Sequence, residues 1–520
     1  MRFFTLLLLL VSQLSLSFSQ VSVSPYVATA AELDIEDGGV LYSFKYSGEG
    51  DEPSWVIIPD EFGIVEISHF GVHHKRNSNE STLKRVTLPH SLKRIDNGAF
   101  KECRLEYVDL NPEIEYIGNL AFANNFLSEV ALPSSLRECG HMAFSCSTLS
   151  RIIWSDDPSC AIDRLSGFGL DTMLRYVEIP SYVKALTLGA FVDTNLDSVK
   201  FNEGLDSISG AFPVQVITRS STLKKVSFPN SLRYINHFAF ARNEGLESVE
   251  FGDGLVMIGT GSFLGTVSLE HLEFPENLTA IGNAAFSGCS KLKSIEFNPL
   301  LRTIADRAFL NCSQLSDYRL PEGLTGLGRE AFRGTRISNL RVPASLVVVP
   351  RLCFSYCSYA PDATVTFSDG IVEIADSAFC NFVTITDDSR FTDSVTVHLP
   401  RTLRRIGRSA FEMVWLRQTN LPQVDENGQR LVWRAYLNGI LEKDDVKTIG
   451  GRMETGFQRA ALYEYVASYP PSDPTCEPST TLPRVPGAAL YDLSGRKRHP
   501  ASTNRRQPVK RAKSASVLLH

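Results

Sequence analysis

The sequence has little that would direct the protein to nucleic acid or into a membrane. Its 520 residues include 52 Lys and Arg against 58 Asp and Glu, so it lacks the basic excess that attracts phosphate backbones. After the N-terminal residues, no apolar run is long enough for a transmembrane helix. Because 43% of the residues are hydrophobic, disorder along the whole length is also excluded.

Residues that commonly carry chemistry are equally sparse. Ten cysteines in 520 residues fall far below the density of a disulfide scaffold. No set of Cys and His has the spacing of a closed zinc site. The sequence contains neither His-Glu-x-x-His nor the nucleophile elbow Gly-x-Ser-x-Gly. We therefore predict no metal site, no cofactor and no catalytic residue.

The N-terminal residues predict export. Residues 1–19 combine an early positive charge, a short apolar run from Phe3 and small residues at Ser17 and Ser19, which is typical of a secretory signal peptide cleaved before Gln20. The apolar run is too short to span a bilayer. We expect a secreted or cell-surface protein, whose cysteines meet an oxidising compartment.

Most of the chain repeats one pattern. The segments LKRVTLPHSLKRIDNGAF, from Leu83, and LEHLEFPENLTAIGNAAF, from Leu269, share L-x-x-[VI]-x-[FL]-P-x-x-L-x-x-I-x-x-x-A-F. Successive closing phenylalanines lie 21 to 25 residues apart, with two longer steps of 28 and 32. We call these residues the anchors: Phe100, Phe122, Phe144, Phe168, Phe191, Phe212, Phe240, Phe263, Phe286, Phe309, Phe332, Phe354, Phe379 and Phe411.

The spacing within one copy predicts a short strand followed by a coil. In KVSF, from Lys225 to Phe228, apolar and polar residues alternate as in a strand with one buried face. Leu232 and Ile235 then follow at three-residue intervals, which suits an irregular or 3-10 coil. A unit this short must stack on copies of itself. We expect a repeat solenoid with short parallel strands on one face and turns or coil on the other.

These motifs resemble the BspA-like class of leucine-rich repeats. The resemblance rests on the strand with its following proline and on Ile-x-x-x-Ala-Phe-x-x-Cys, from about Leu83 to Phe411. Proline generally stands where ordinary leucine-rich repeats have an asparagine after the strand. The resemblance implies a bacterial-type surface or secreted protein that attaches to host proteins, matrix proteins or other cells. The spacing of the repeats alone implies only a scaffold.

The chain outside the repeats divides into shorter segments. The end of a solenoid exposes apolar edges and needs a cover, so we expect a cap or degenerate repeat at each end. A stretch rich in Pro, Ser and Thr then predicts a stiff linker. The predicted order is residues 1–19, signal peptide; 20–80, N-terminal cap or degenerate repeat; 81–415, solenoid of about 14 units; 416–466, C-terminal cap; 467–486, linker; and 487–520, tail.

The tail contains a second resemblance. The run ALYDLSGRK, from Ala489 to Lys497, resembles the opening of the C-terminal sorting domain of the type IX secretion pathway. That resemblance implies transport across the outer membrane. The apolar strands expected to follow are absent, and a basic tail with no sorting role is the alternative.

Four cysteines stand three residues after an anchor and should form a column inside the coil. We interpret them mainly as small buried hydrophobic residues. Cys289 and Cys312 occupy adjacent turns and could come close enough to form a disulfide, which the sequence leaves open. The four are Cys103, Cys289, Cys312 and Cys357.

The strand face is the predicted binding surface. The residue after each inward Val or Ile should point to solvent. In five successive units this position holds Glu250, Glu273, Glu296, Arg319 and Arg341. Like charges on adjacent strands repel, so folding alone gives no reason for three glutamates to line up. A partner of opposite charge would explain the alignment of the three glutamates. The alternative is a solvated charged face that keeps the exposed sheet soluble.

We interpret the protein as a noncatalytic repeat protein that binds a protein of a host, a matrix or another cell. The segments outside the repeats are too short for most independent enzyme folds. A self-associating component of a surface layer is one alternative. A polysaccharide-binding accessory protein is another, although the aromatic residues Tyr107 and Tyr176 that would serve a glycan are separated by other units.

Overall fold

The described residues of the computed structural model are 24–47, 53–68, 70, 83–160, 162–210, 222–380, 395–407 and 410–411, with further strands at 416–419, 433–437, 440–441 and 462–465. They all lie in the larger of two compact units, Met1–Pro471. The predicted signal peptide, linker and sorting tail lie outside the described residues, as does Phe212.

The described strands stack into a parallel β-solenoid of about 13 turns with almost no helix, which confirms the predicted fold class. In the first ladder of strands, an inward Val or Ile lies between two outward residues, because side chains alternate along a strand. Its strands are Tyr26–Val27, Trp55–Ile57, Arg85–Thr87, Tyr107–Asp109, Glu129–Ala131, Arg151–Ile153, Tyr176–Ile179, Ser198–Phe201, Lys225–Ser227, Ser248–Glu250, His271–Glu273, Ser294–Glu296, Asp317–Tyr318, Arg336–Val342, Ser358–Phe367, Val395–His398 and Leu416–Thr419.

The opposite side adds a second parallel ladder of very short strands, together with the expected turns. It buries the isoleucine of the repeat, as where Ile95 pairs in register with Ile117. In the described residues, 3-10 structure is confined to Asp60–Phe62. The strands are Leu33–Glu36, Val40–Phe44, Glu66–Ile67, Arg94–Ile95, Tyr116–Ile117, Glu138–Cys139, Arg164–Leu165, Ala185–Leu186, Ser207–Ser209, Tyr234–Asn236, Met257–Ile258, Ala280–Ile281, Thr303–Ile304, Gly326–Leu327, Val348–Val349, Glu373–Ile374 and Arg405–Ile406.

A small antiparallel sheet follows the last described turn. Its central strand is Trp433–Leu437, which pairs with Ile440–Leu441 on one side and with Leu462–Tyr465 on the other. These strands lie in the segment that the sequence assigns to a C-terminal cap.

The corner that holds each anchor is closed by a third set of hydrogen bonds between turns. The amides of Gly98, Phe100 and Glu102 donate to carbonyls of the next turn at 2.9, 2.7 and 2.9 Å. The residues two before and two after an anchor have positive φ in most turns, for example Phe238 at 55° and Arg242 at 61°. This left-handed conformation bends the chain around the ring while every second amide still reaches the next turn.

The anchor rings form one buried column. Where the rings of two adjacent turns are both described, their centroids lie 5.0 to 6.0 Å apart. Most rings are nearly parallel, with an interplanar angle of 1° between Phe100 and Phe122. Burying one such side chain stabilises the fold by about 1.5–3 kcal/mol relative to leaving it exposed. The described column comprises Phe44, Phe70, Phe100, Phe122, Phe144, Phe168, Phe191, Phe240, Phe263, Phe286, Phe309, Phe332, Phe354, Phe379 and Phe411.

A second column of rings backs the anchors in the middle of the array. It comes from the position before the proline of the repeat, where centroids lie 5.5 to 5.9 Å apart along the column. The rings of Phe228, Phe251, Phe274 and Phe297 also pack against anchors, as Phe251 does edge-on against Phe263 at 6.1 Å. The second column comprises Phe201, Phe228, Phe251, Phe274 and Phe297.

Two rings at the N-terminal end of the column were missed in the sequence. In most turns the anchor comes five positions after the inward residue of the second ladder. Phe44 comes only three positions after Leu41, and Phe70 three positions after Ile67, as also in the turn of Phe168. These shorter corners change the motif but keep the ring in the column.

The N-terminal end of the second ladder is an antiparallel hairpin, and a buried carboxylate holds it. Glu32 accepts hydrogen bonds from the Tyr26 hydroxyl at 2.7 Å, the Thr29 amide at 3.1 Å and the Ser47 amide at 2.7 Å. Burial raises the pKa of Glu32, but these donors outweigh burial and lower that pKa to about 2. The ionised carboxylate therefore ties three separate positions of this end together.

An inner polar column stands three residues after the anchors. There, a thiol donates to the carbonyl of the anchor one turn earlier, at 3.1 to 3.4 Å. Asn125 uses its amide in the same way, donating to the carbonyl of Phe100 at 2.8 Å. The cysteines at this position are all buried: Cys103, Cys289, Cys312 and Cys357. Cys289 and Cys312, which occupy adjacent turns, are free thiols. The cysteines at this position therefore satisfy main-chain carbonyls as well as filling apolar space.

One member of this polar column is incompletely satisfied. Asp171 is fully buried, and its Oδ1 accepts from the Cys146 amide at 2.7 Å. Its Oδ2 has no hydrogen-bond partner among the described residues. Burial raises the pKa of Asp171 well above its usual value, only partly opposed by the Cys146 amide. The side chain therefore favours the neutral form in the folded state.

We predict that Phe286→Ala lowers the free energy of unfolding by about 3–5 kcal/mol, because it leaves a cavity between two stacked rings. Phe238→Ala is the matched control, since that ring is 46% exposed in the corner two turns earlier, and it should cost less than about 1 kcal/mol. Urea unfolding followed by circular dichroism measures both. Equal midpoints for Phe286→Ala and the parent would contradict the assigned register.

We predict that Asp171→Asn stabilises the protein by about 1–3 kcal/mol at pH 7, the usual cost of an unsatisfied buried polar group. Because the folded-state pKa is raised, this aspartate favours folding most below its unfolded pKa and loses that contribution as pH rises. The advantage of the variant should therefore grow between pH 4 and pH 7. Exposed Asp253→Asn is the control, and an advantage independent of pH would contradict the explanation.

Candidate functional site

The outward face of the first ladder is the candidate binding surface. Each strand presents two side chains to solvent on either side of its buried residue, as Ser248 and Glu250 flank Val249. Neighbouring strands are about 4.8 Å apart, so equivalent side chains form columns along the array. All five residues predicted to bind a partner are exposed on one such column: Glu250, Glu273, Glu296, Arg319 and Arg341.

Glu250 is already compensated within the fold. The ammonium of Lys225 and the hydroxyl of Ser227, both on the preceding strand, donate to its carboxylate at 2.5 Å. These two donors lower the pKa of Glu250. The premise that folding gives no reason for the acidic column therefore fails at this member. Its position is explained by the neighbouring strand.

Glu273 and Glu296 have no such compensation. They lie directly opposite each other in register on adjacent strands. Among the described residues, neither carboxylate forms an ion pair. Two like charges at this spacing are unfavourable by a fraction of a kcal/mol. This pair is therefore the acidic part of the column that the fold leaves unsatisfied.

The basic end of the column begins on the following strand. Arg319 continues the register of Glu296, since Ile295 pairs with Tyr318. In the part of the chain that the structure describes, Arg319 forms no ion pair, whereas Nε of Arg341 lies 3.4 Å from Glu322. Positive charge thus follows directly after the unpaired glutamates.

In the column of side chains just before the strands, opposite charges on neighbouring turns form ion pairs. Lys224 Nζ lies 3.0 Å from Glu247, and Lys293 Nζ lies 2.8 Å from Glu270, each pair joining the residues just before two neighbouring strands. The four side chains are 46 to 60% exposed, so each pair contributes little stability. Alternating charges are thus available to this sheet, and the unpaired glutamates depart from that arrangement.

Sequence reasoning missed a group of residues at the other end of the ladder. Trp55, Arg85 and Tyr107 occupy equivalent outward positions on three successive strands. The Arg85 guanidinium carbon lies 4.2 Å from the centroid of Trp55 and 4.6 Å from that of Tyr107. Aligning SWVIIP with LKRVTLP would have placed Trp55 beside Arg85, but that unit precedes the recognisable repeats.

The described residues offer no site for a metal ion. No group of three or more His, Cys, Asp or Glu among them is arranged to hold one. His271, next to Glu273, instead shares a hydrogen bond of 2.6 Å with the hydroxyl of Ser294. No described helix has the length and apolar character needed to cross a membrane.

Comparison with known proteins gives the family and several similar folds. A model of the BspA type leucine rich repeat region matches residues 75–160, 166–241, 212–322 and 300–397, with six copies of the repeat. A search of curated proteins gave no match.

The solved structures include a leucine-rich repeat protein from Bacteroides ovatus, 19% identical, covering 72% of this chain and 86% of that chain with a TM-score of 0.43. The pneumococcal vaccine antigen PcpA is 20% identical, covering 72% and 87% with a TM-score of 0.39. A leucine rich cell surface protein from Faecalibacterium prausnitzii is 19% identical, covering 66% and 96% with a TM-score of 0.33.

Proposed function

Since the chain belongs to the BspA-type leucine-rich repeat family, we propose that it is a noncatalytic secreted or cell-surface protein that binds another protein through the first ladder. The partner is a protein of a host, a matrix or another cell. The observation that carries this proposal is the unpaired, register-matched pair Glu273 and Glu296. A stacked array supplies an extended face for such a partner.

Electrostatics support a partner with basic side chains at this part of the face. A lysine or arginine placed between Glu273 and Glu296 would relieve their mutual repulsion and gain a charge-assisted hydrogen bond. Such complementary charges raise association rates and reject partners of the wrong sign. Because the glutamates are exposed, their contribution should weaken as salt increases.

We predict that replacing both Glu273 and Glu296 with Lys reduces binding to the protein partner and reverses its salt dependence, because added salt then screens a repulsion. A panel of matrix proteins and host cells, tested with the mature chain at several salt concentrations, identifies and measures that partner. Asp253→Lys with Glu276→Lys is the matched control. It makes the same change in charge on adjacent turns, at exposed positions beyond the strands.

The control variant should bind like the parent, and circular dichroism should show the same fold for both. If the Glu273 and Glu296 variant retains full affinity and the same salt dependence, this pair is not part of the binding surface. The loops or the second ladder would then hold the partner.

Self-association is a second candidate that one specific observation favours. The unpaired glutamates and the following Arg319 and Arg341 form an acidic half and a basic half of one column. Two copies related by a twofold axis could bring these halves together. Sedimentation velocity should then show a concentration-dependent dimer that dissociates with salt, and the lysine variant should remain monomeric. A parent chain that stays monomeric at all concentrations would exclude this function.

A further inference from the structure

The N-terminal strands of the first ladder hold a cation between two aromatic rings. Arg85 stacks between Trp55 and Tyr107, with distances of 4.2 and 4.6 Å to the two centroids. All three side chains belong to one outward column, and Tyr107 is 41% exposed. Stacking on an aromatic ring does not compensate the charge of a guanidinium as a carboxylate would.

The arrangement is fixed by contacts within the sheet. The indole Nε1 of Trp55 donates to the hydroxyl of Thr87 at 3.0 Å, which holds the ring across the strand of Arg85. The Nε atom of Arg85 is buried and has no hydrogen-bond partner in the described part of the chain. Because the two rings hold it, the guanidinium of Arg85 is oriented before a ligand arrives, so little conformational entropy is lost on binding.

The charge of Arg85 is uncompensated in the described part of the chain. No described carboxylate lies within the 4.0 Å of an ion pair. Arg94 provides the contrast, since it also stacks on a ring, Tyr116, at 3.7 Å. Arg94 has Glu66 at 3.8 Å and Asp96 at 3.3 Å. The stacked arginine of the second ladder is thus neutralised, and that of the first ladder is not.

We propose that Arg85, held between Trp55 and Tyr107, is a recognition site for a carboxylate of an acidic peptide segment in a protein partner. Arginine binds carboxylates through paired N–H donors. Trp, Tyr and Arg are also the residues that dominate binding energy at protein interfaces. Arg85 covers the ring faces that it stacks against, so the site recognises charge and not the apolar face of a sugar.

This site is separate from the acidic pair Glu273 and Glu296, and its partner carries the opposite charge. The Arg85 site rests on the proposed function only in one respect, which is that its partner is a protein. The two can fail independently, because one is tested with basic partners and the other with an acidic probe.

The test uses the mature chain and three immobilised probes: a decaglutamate peptide, a decaglutamine peptide and an oligogalacturonate. Biolayer interferometry should show saturable binding to decaglutamate and none to decaglutamine. Arg85→Gln should weaken decaglutamate binding by at least about tenfold, since a charged hydrogen-bonding partner is lost. Arg94→Gln, the matched control, should change it by no more than about twofold.

A second variant separates recognition from stability. Tyr107→Ala removes one ring at a partly exposed position and should weaken decaglutamate binding even if Arg85→Gln fails to fold. Absence of decaglutamate binding by the parent would overturn the proposal. So would an undiminished affinity of a folded Arg85→Gln variant, or stronger binding to oligogalacturonate than to decaglutamate.

Discussion

No turn of this solenoid can bury its own anchor ring or pair all of its own backbone amides, and this constraint determines the rest of the structure. The ring of an anchor such as Phe286 is covered by the rings of the turns on either side, at 5.2 and 5.4 Å. The amide of the same residue donates to Ala308 in the next turn at 2.8 Å. Burial and hydrogen bonding thus both require a neighbour, so stability grows by stacking.

The same constraint produces the outward face. The buried residues fix the register of the strands, and the register fixes which outward side chains are neighbours. Equivalent side chains on successive strands therefore form columns with a spacing of about 4.8 Å. The outward faces of these turns therefore differ mainly in which charged side chains form ion pairs. Lys225 and Glu250 form an ion pair, whereas Glu273, Glu296 and Arg85 form none with any residue that the structure describes. Unpaired charges at fixed spacing are what another molecule can recognise.

Much of this fold could be predicted from the sequence because the anchors recur at a near-constant step. The rings of Phe44 and Phe70 were missed, since their corners are two residues shorter and the Ala-Phe motif is lost. The second ladder was also missed, because strands of two residues are too short to show alternation. The polar column after the anchors holds Cys, Asn and Asp, and only the folded structure shows that its Cys and Asn members donate to carbonyls of the preceding turn.

The candidate site was less predictable for a related reason. A sequence can place Glu250 and Glu273 on one column, but the pairing of Glu250 with Lys225 is a diagonal contact that depends on side-chain direction. Trp55 lies in a unit that departs from the repeat, so its contact with Arg85 required the register of the folded sheet.

Native-state hydrogen exchange tests the dependence of each turn on its neighbours most directly. If turns are held together at the corner as well as in the strands, the amides of Phe122 and Phe286, which donate to the next turn, should exchange as slowly as those of the first-ladder strands. Fast exchange at these anchor amides, with slow exchange retained in the strands, would contradict the account.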